Sequence, residues 1–278
     1  MPYLVMKDGI NIYYEDYGNK NGETLLFCHG LASSHLELKN FINEFKNEYR
    51  CICYDQRGHC ASDKTQKHMN VKTLGQDLNE IIEYLDLKDV SVIGHSMGAA
   101  SIFSYVNQFG CNRLKRIVAV DMTPYMRNTV WEGGIGLGKW TDEDFLCDLD
   151  RIFDDLGHGA WVITKELMNP ALAKLPPEEE PKMIQLCRTE NLTPYSMASL
   201  WYSLFRTDQR PAIDKITVPF QYIMPETPLY SMVTVNFYKE HVKNKFVLEK
   251  DFPGTTHTIL MEKPVESAER VKAFLKSC

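Results

Sequence analysis

No two cysteines of this chain stand in a C-x-x-C spacing, so the commonest structural-zinc pattern is missing and no metal is expected. No apolar run approaches about 20 residues, the length a membrane-spanning helix needs. Positive charge is in deficit, with 31 Lys and Arg against 37 Asp and Glu. The two signs are interspersed apart from a short Glu178-Glu179-Glu180 run, which gives no footing for nucleic acid. The opening residues, Met1 to Lys7, lack a charged n-region and a long apolar h-region, so a signal peptide is not expected. No internal repeat or low-complexity tract interrupts the sequence.

What is present is globular. The 278 residues are 44% hydrophobic and 24% charged, enough for one large core with an insertion. The eight cysteines (28, 51, 53, 60, 111, 147, 187 and 278) are scattered, and several lie in apolar runs, such as Cys28 after Thr24-Leu25-Leu26-Phe27. Free core thiols in a reducing cytoplasm are the expectation.

The most informative stretch is Gly94-His95-Ser96-Met97-Gly98, which follows the apolar run Val90 to Ile93 and precedes a helix-like segment, Ala99 to Gln108. Gly-x-Ser-x-Gly between a strand and a helix is the pattern of a nucleophile elbow. The turn is so tight that Ser96 is expected in a strained conformation with its hydroxyl thrust outward. Side chains at 94 and 98 would strike the neighbouring strand and helix. The start of the following helix turns free N–H groups toward the site.

Around this stretch, buried runs alternate with amphipathic ones. Ile10 to Tyr17 reads as an exposed-edge strand, Thr24 to Cys28 as a buried strand, Leu36 to Phe45 as a helix, and Cys51 to Tyr54 as the next strand. Leu74, Leu78, Ile81, Ile82 and Leu85 form a helical stripe, and Leu114 to Val120 is another buried strand. From Tyr125 to Arg210 the alternation stops. Thr141 is placed to cap a helix whose apolar positions are Phe145, Leu146, Leu149, Ile152, Phe153 and Leu156. A further helix is expected from Glu178 to Thr189. Thr193-Pro194 starts another, with Met197, Leu200, Trp201, Leu204 and Phe205 as its stripe. The aromatics Trp131, Trp140, Trp161, Trp201 and Phe205 are expected chiefly to form this insertion's own core, with an apolar pocket as the other option. The sheet resumes with Phe220 to Met224 and Phe246 to Leu248, between which Val233 to Val242 is helical. A helix from Val265 to Leu275 closes the chain.

Four loops carry candidate chemistry. His29-Gly30-Leu31 follows a buried strand, and glycine there lets backbone approach a ligand; in acyl-transfer sites such a loop gives one oxyanion N–H, assigned to Leu31, with Met97 giving the second. Asp55-Gln56-Arg57-Gly58-His59 reads as a structural turn that pins neighbouring loops. Asp121 ends a buried strand at the edge where such sheets bind ligands, as an acid partner for a histidine or as a turn residue before Pro124. His257 comes last, after the two candidate acids Asp121 and Glu226, in the chain order Ser, acid, His. His29 and His95 are assigned to packing or loop contacts.

Together these residues resemble an α/β-hydrolase: His29-Gly30, Asp55 to His59, Gly94 to Gly98, Asp208-Gln209-Arg210-Pro211 before Val218-Pro219, and Gly254-x-x-His257 with Glu262 and Pro264. The resemblance covers essentially the whole chain and is weakest from 125 to 210. It implies an α/β fold, with a mostly parallel central sheet flanked by helices. Residues 1–124 and 211–278 would be the core and residues 125–210 an inserted helical cap. Two departures matter. Cys60 stands where the family usually has glycine. The family's common aspartate after the strand ending at Met224 is replaced by Thr227, within Met224-Pro225-Glu226-Thr227. A subset of these enzymes resembles this chain in an Asp-x-x-Pro after the strand following the nucleophile helix, here Asp121-Met122-Thr123-Pro124, with Leu229-Tyr230 also matching. The resemblance thus implies a Ser96-His257-Asp121 triad, with Glu226 as the alternative acid. It implies a serine esterase using no cofactor, acting on a small-molecule ester; a lactonase, amidase or C–C bond hydrolase would use the same triad, and a non-catalytic binding protein of this fold is the remaining option.

Overall fold

Buried apolar runs separated by amphipathic stripes fold into a layered sheet, because each run buries both of its faces only with helices on either side. The computed structural model describes residues 2–187 and 192–278. Its strands are β1 (Tyr3–Val5), β2 (Asn11–Gly18), β3 (Thr24–Cys28), β4 (Arg50–Tyr54), β5 (Val90–His95), β6 (Leu114–Val120), β7 (Phe220–Ile223) and β8 (Phe246–Glu249). They lie in the order β1-β2-β4-β3-β5-β6-β7-β8. β1 and β2 are antiparallel, and every pair from β4 to β8 is parallel. The expected edge position of Ile10 to Tyr17 is corrected: β2 pairs with β1 on one side and β4 on the other. β1 has three residues, too few to show an alternation in the sequence.

The helices of the first half are α1 (Lys39–Asn43), α2 (Val71–Tyr84) and α3 (Met97–Phe109). The long helix expected from Leu36 to Phe45 shrinks to the five residues of α1, which bury Phe41 and Ile42. α2 starts at Asn70, whose side chain accepts a hydrogen bond from the Thr73 N–H at 3.0 Å. The parallel strands send alternate side chains into two cores, as the two-residue period requires. Leu26, Cys28, Ile52, Val92 and Ile117 join α2 and α3 on one face. Leu25, Phe27, Cys51, Ile93 and Val118 join α1 on the other, along with the last helix of the chain.

Between β6 and β7 the chain is helical: α4 (Asp142–Asp154), α5 (Leu156–Ile163), α6 (Glu180–Cys187), α7 (Pro194–Arg206) and α8 (Arg210–Ile213). Thr141 and Asp144 form a reciprocal cap on α4. The stripe of α4 is narrower than expected. Phe145 and Ile152 are buried, while Leu146 and Phe153 are 58% and 59% exposed. Leu146 and Phe153, seven residues apart, share a face turned about 100° from that of Phe145 and Ile152, and this face looks outward. α5 runs into a π-helical turn, Thr164–Met168. The helix expected from Glu178 begins with a 3₁₀ turn at Pro177–Glu179 and continues as α6; Arg188 and Thr189 lie outside the described residues. α7 is capped by Thr193 and buries its full expected stripe. After β7 come α9 (Met232–His241), α10 (Ile259–Glu262) and α11 (Pro264–Lys276). Among the described residues no helix is long and apolar enough to cross a membrane, and all eight cysteines are free thiols.

α4 and α7 meet around a buried carboxylate. Asp148 is fully buried, and its Oδ2 accepts the indole N–H groups of Trp140 and Trp201, each at 3.2 Å. Arg151 donates to Oδ1 at 3.4 Å. Burial pushes the Asp148 carboxyl up to about 7 against the pull of these donors, and the nearby Glu166 adds to the rise. A carboxyl whose pKa is raised by folding stabilises the fold fully below its unfolded value, near 4, and that contribution is lost as pH rises through about 7. Asp148→Asn keeps an acceptor for the indoles and removes the buried charge. It is expected to raise stability at pH 8 by at least about 1.4 kcal/mol, one pKa unit's worth, with the gain vanishing near pH 4. Denaturant midpoints of both proteins across that range check this, and a pH-independent difference would contradict it.

Candidate active site

The turn after β5 has the geometry that its glycines permit. Ser96 sits at φ 52° and ψ −120°, a region non-glycine residues rarely occupy. A Cβ on Gly94 would lie 2.5 Å from the Ala99 nitrogen. One on Gly98 would lie 2.0 Å from the Cys28 carbonyl oxygen. The Ser96 N–H donates to the Val120 carbonyl of β6 at 3.0 Å, so the turn is tied to the neighbouring strand. The Ser96 side chain makes no cap to its own helix and borders a cavity of about 360 Å³.

Beyond Val120 the chain bends at Asp121, itself at φ 40°. The Asp121 carboxylate is fully buried. Its Oδ2 accepts from His257 Nδ1–H at 2.8 Å and from the Leu229 N–H at 3.1 Å. Its Oδ1 is buried without a hydrogen-bond partner. Tyr222, Tyr230 and Tyr238 stand in the same buried region, and burial next to this carboxylate drives their phenols well above their ordinary value. His257 is 2% exposed. With Nδ1–H committed to Asp121, its Nε2 is left for the cavity that it shares with Ser96.

The structure therefore brings together Ser96, Asp121 and His257, but not Glu226. The Glu226 side chain is exposed and accepts from the Gly254 N–H at 2.6 Å, bracing the loop before His257. Leu31 borders the cavity and Met97 is the first residue of α3. Among the described residues, neither of their N–H groups donates to another backbone group of the turns and loops.

The loop holding Leu31 is built by the Asp55 to His59 turn. Gln56 donates its backbone N–H to His29 Nε2 at 2.9 Å and its amide to the His29 carbonyl at 2.5 Å. Ser101 of α3 donates to the Gln56 side-chain oxygen at 2.7 Å. His59 Nε2 accepts the Ala32 N–H at 3.2 Å; burial pushes its pKa down to about 3, which keeps the ring neutral and able to accept. Arg57 is buried in a two-pronged ion pair with Asp77 (2.6 and 2.5 Å) and also reaches Asp8 at 2.9 Å. Asp55 Oδ1 accepts the N–H and Nδ1–H of His35, and Oδ2 accepts the Ala61 N–H. Among the described residues, His35, Asp55 and Cys60 bring three potential metal donors within 4.8 Å of one another, with Asp55 already engaged as described.

The remaining cavity wall is mainly apolar, with Leu31, Ile163, Met168, Leu186, Met197 and Met261 among its residues. Trp131, Trp140, Trp161, Trp201 and Phe205 are absent from this lining, which corrects the pocket option. Phe205 stacks on Phe145 at 4.0 Å, and Trp131 packs edge-on against Phe237. Sequence reasoning missed two backbone ties of His257: His95 Nε2–H to its carbonyl at 2.7 Å, and its own N–H to the Met168 carbonyl at 3.4 Å. The position of His95 inside the turn motif was the available signal for the first. Nothing in the sequence marks the π-helical turn that supplies the second.

Residues 23–141 match a family model described as the alpha/beta hydrolase fold. A non-heme chloroperoxidase of Kitasatospora aureofaciens is 32% identical over 125 residues, 45% of each chain. A bifunctional esterase/perhydrolase of Acinetobacter calcoaceticus is 25% identical over 158 residues, 56% of this chain and 53% of that one. The chain thus spans about half the length of these curated relatives. An esterase from Exiguobacterium antarcticum superposes with a TM-score of 0.83 over 99% of this chain and 98% of that one, at 20% identity. The fold is the α/β-hydrolase fold, as its resemblance implied.

The close approach of Gly98 to Cys28 is testable. Gly98→Ala would press a methyl group into backbone atoms that have no side chain to swing aside. A loss of about 2 kcal/mol or more in denaturant unfolding is expected. Gly9→Ala, with φ 84° but open space, should lose only about 1 kcal/mol. Equal losses at the two sites would contradict the contact argument.

Proposed function

We propose that this α/β-hydrolase-fold chain is a serine hydrolase that cleaves carboxylic esters of small to medium acyl chain. The observation that carries the reading is that Ser96, on its strained turn, and His257 border one cavity, with Asp121 bonded behind it to His257 Nδ1 at 2.8 Å.

In this reading Ser96 Oγ attacks the ester carbonyl as His257 Nε2 takes its proton. Asp121 holds the ring in the tautomer with Nδ1–H and stabilises it when it becomes cationic. The N–H groups of Leu31 and Met97 receive the oxyanion, each worth about 3 kcal/mol in the transition state. His257 then protonates the departing alcohol, activates a water, and the acyl-enzyme releases its acid. A cavity of about 360 Å³ with a largely apolar wall suits a short acyl chain. In this reading residues 125–210 act as the cap, because Ile163, Thr164, Met168 and Met197 of that segment line the cavity that Ser96 borders. The same chemistry serves lactones, amides and certain C–C bonds, and the wall decides among them.

Hydrolysis of p-nitrophenyl acetate and butyrate tests this. Ser96→Ala and Asp121→Asn are expected to lower kcat by about 10³-fold or more in folded protein, and Glu226→Gln to stay within about twofold of wild type. A fluorophosphonate should label wild type at Ser96 only. An inactive Glu226→Gln beside an active Asp121→Asn would move the acid to the loop after β7. A wild type inert to every ester and to the label would sink the hydrolase reading.

A further inference from the structure

The nucleophile turn carries a second buried histidine that the proposed chemistry does not use. His95 is the last residue of β5, 4% exposed, with its ring centroid 4.8 Å from that of His257. We infer that His95 is a positioning residue: its Nε2–H holds the main-chain carbonyl of His257 and so fixes the proposed base over Ser96. The role of His257 as base rests on the hydrolase reading above; the tether itself does not.

The protonation follows from the contact. A carbonyl only accepts, so at 2.7 Å the proton belongs to Nε2. Burial, with His257 beside it, pushes the pKa of His95 down to about 3, so the ring is neutral and Nδ1 is left as a bare acceptor. That atom is buried with no hydrogen-bond partner, and it lies against Gly30, whose Cβ, if present, would be 3.2 Å away. An unpaired buried acceptor is costly, and a phenylalanine of similar shape would avoid that cost. What histidine adds over phenylalanine here is the bond to residue 257, which joins points 162 residues apart.

That bond is well placed to matter. His257 is otherwise held by its ring bond to Asp121 and by the longer 3.4 Å bond from its N–H to Met168. The ring bond leaves the main chain free to pivot about the side chain, and the Met168 bond leads into the helical segment rather than into the sheet. His95 ties the base-bearing loop to the strand end that also carries Ser96. The relative position of nucleophile and base is then set by two adjacent residues.

His95→Phe and His95→Gln separate shape from donor, since the glutamine amide N–H lies near the position of the imidazole Nε2–H. In folded His95→Phe, kcat for p-nitrophenyl butyrate should fall between about tenfold and a hundredfold with KM little changed. His95→Gln should recover most of the loss. The downfield proton resonance of His257 Nδ1–H, assigned through its loss in Asp121→Asn, should shift or broaden in His95→Phe and return in His95→Gln. A fall in kcat with that resonance unmoved overturns the inference, as does an unchanged kcat. If neither variant folds, ¹⁵N shifts of His95 in the wild type decide: a neutral ring protonated at Nε2 from pH 5 to 9 supports the tether, and a charged or Nδ1-protonated ring overturns it. These spectra need no substrate, so the failure of the tether and the failure of the hydrolase reading remain distinguishable.

Discussion

The absence of a side chain at Gly98 lets α3 rest against the Cys28 carbonyl, and the rest of the site depends on that contact. Because the helix start lies this close to β3, the loop after β3 passes over Ser96. Because the turn is this tight, Ser96 takes φ 52°, a conformation that costs about 1–3 kcal/mol. The cost is borne by bonds on both sides: the Ser96 N–H to Val120 in β6, and the Ser101 to Gln56 to His29 chain on the side of β3. The strain is stored where two strands and a helix over-determine one residue.

Buried imidazoles transmit this geometry. His29, His59 and His95 are driven toward the neutral form by burial, and each uses its nitrogens to position backbone. His35 is the exception. Asp55 and Glu15 outweigh burial there and raise its pKa. Its bond to Asp55 locks the start of the Asp55 to His59 turn, while Arg57 and Asp77 lock the middle. A segment rich in Asp, Arg and His thus serves as scaffold for the loop containing Leu31, and none of its charged groups borders the Ser96 cavity.

Much of this was legible because the sequence is locally consistent. The strand runs at 24–28, 51–54 and 114–120 are short, apolar and bounded, and the structure places strands there. Thr141 and Thr193 start helices as their capping chemistry predicts. Ser96, Asp121 and His257 lie where the sheet's carboxyl edge gathers loops, a consequence of parallel topology. What escaped was non-local. β1 needs β2 as a template, and Leu146 and Phe153 face solvent because Phe145 and Ile152 already fill the core. Trp140 and Trp201 are expected chiefly in the insertion's own core; what the sequence does not mark is the acceptor of each indole N–H, which the buried Asp148 supplies. The bond from His95 to the His257 carbonyl joins side chain to backbone across most of the chain, which no periodicity records.

In the proposed triad the acid stands at the end of β6, not β7, and this has a consequence for how the protein comes together. Ser96 and Asp121 belong to one uninterrupted βαβ unit, β5–α3–β6, whose parts find each other over a short span of chain. The imidazole arrives from 136 residues beyond the carboxylate, after the whole helical segment has been made. Loop closure costs rise with span, so the two-residue half of the constellation is the entropically easy half and the histidine is the late arrival. During synthesis Ser96 and Asp121 are laid down early, and the bond between Asp121 and His257 exists only once the C-terminal loop has docked.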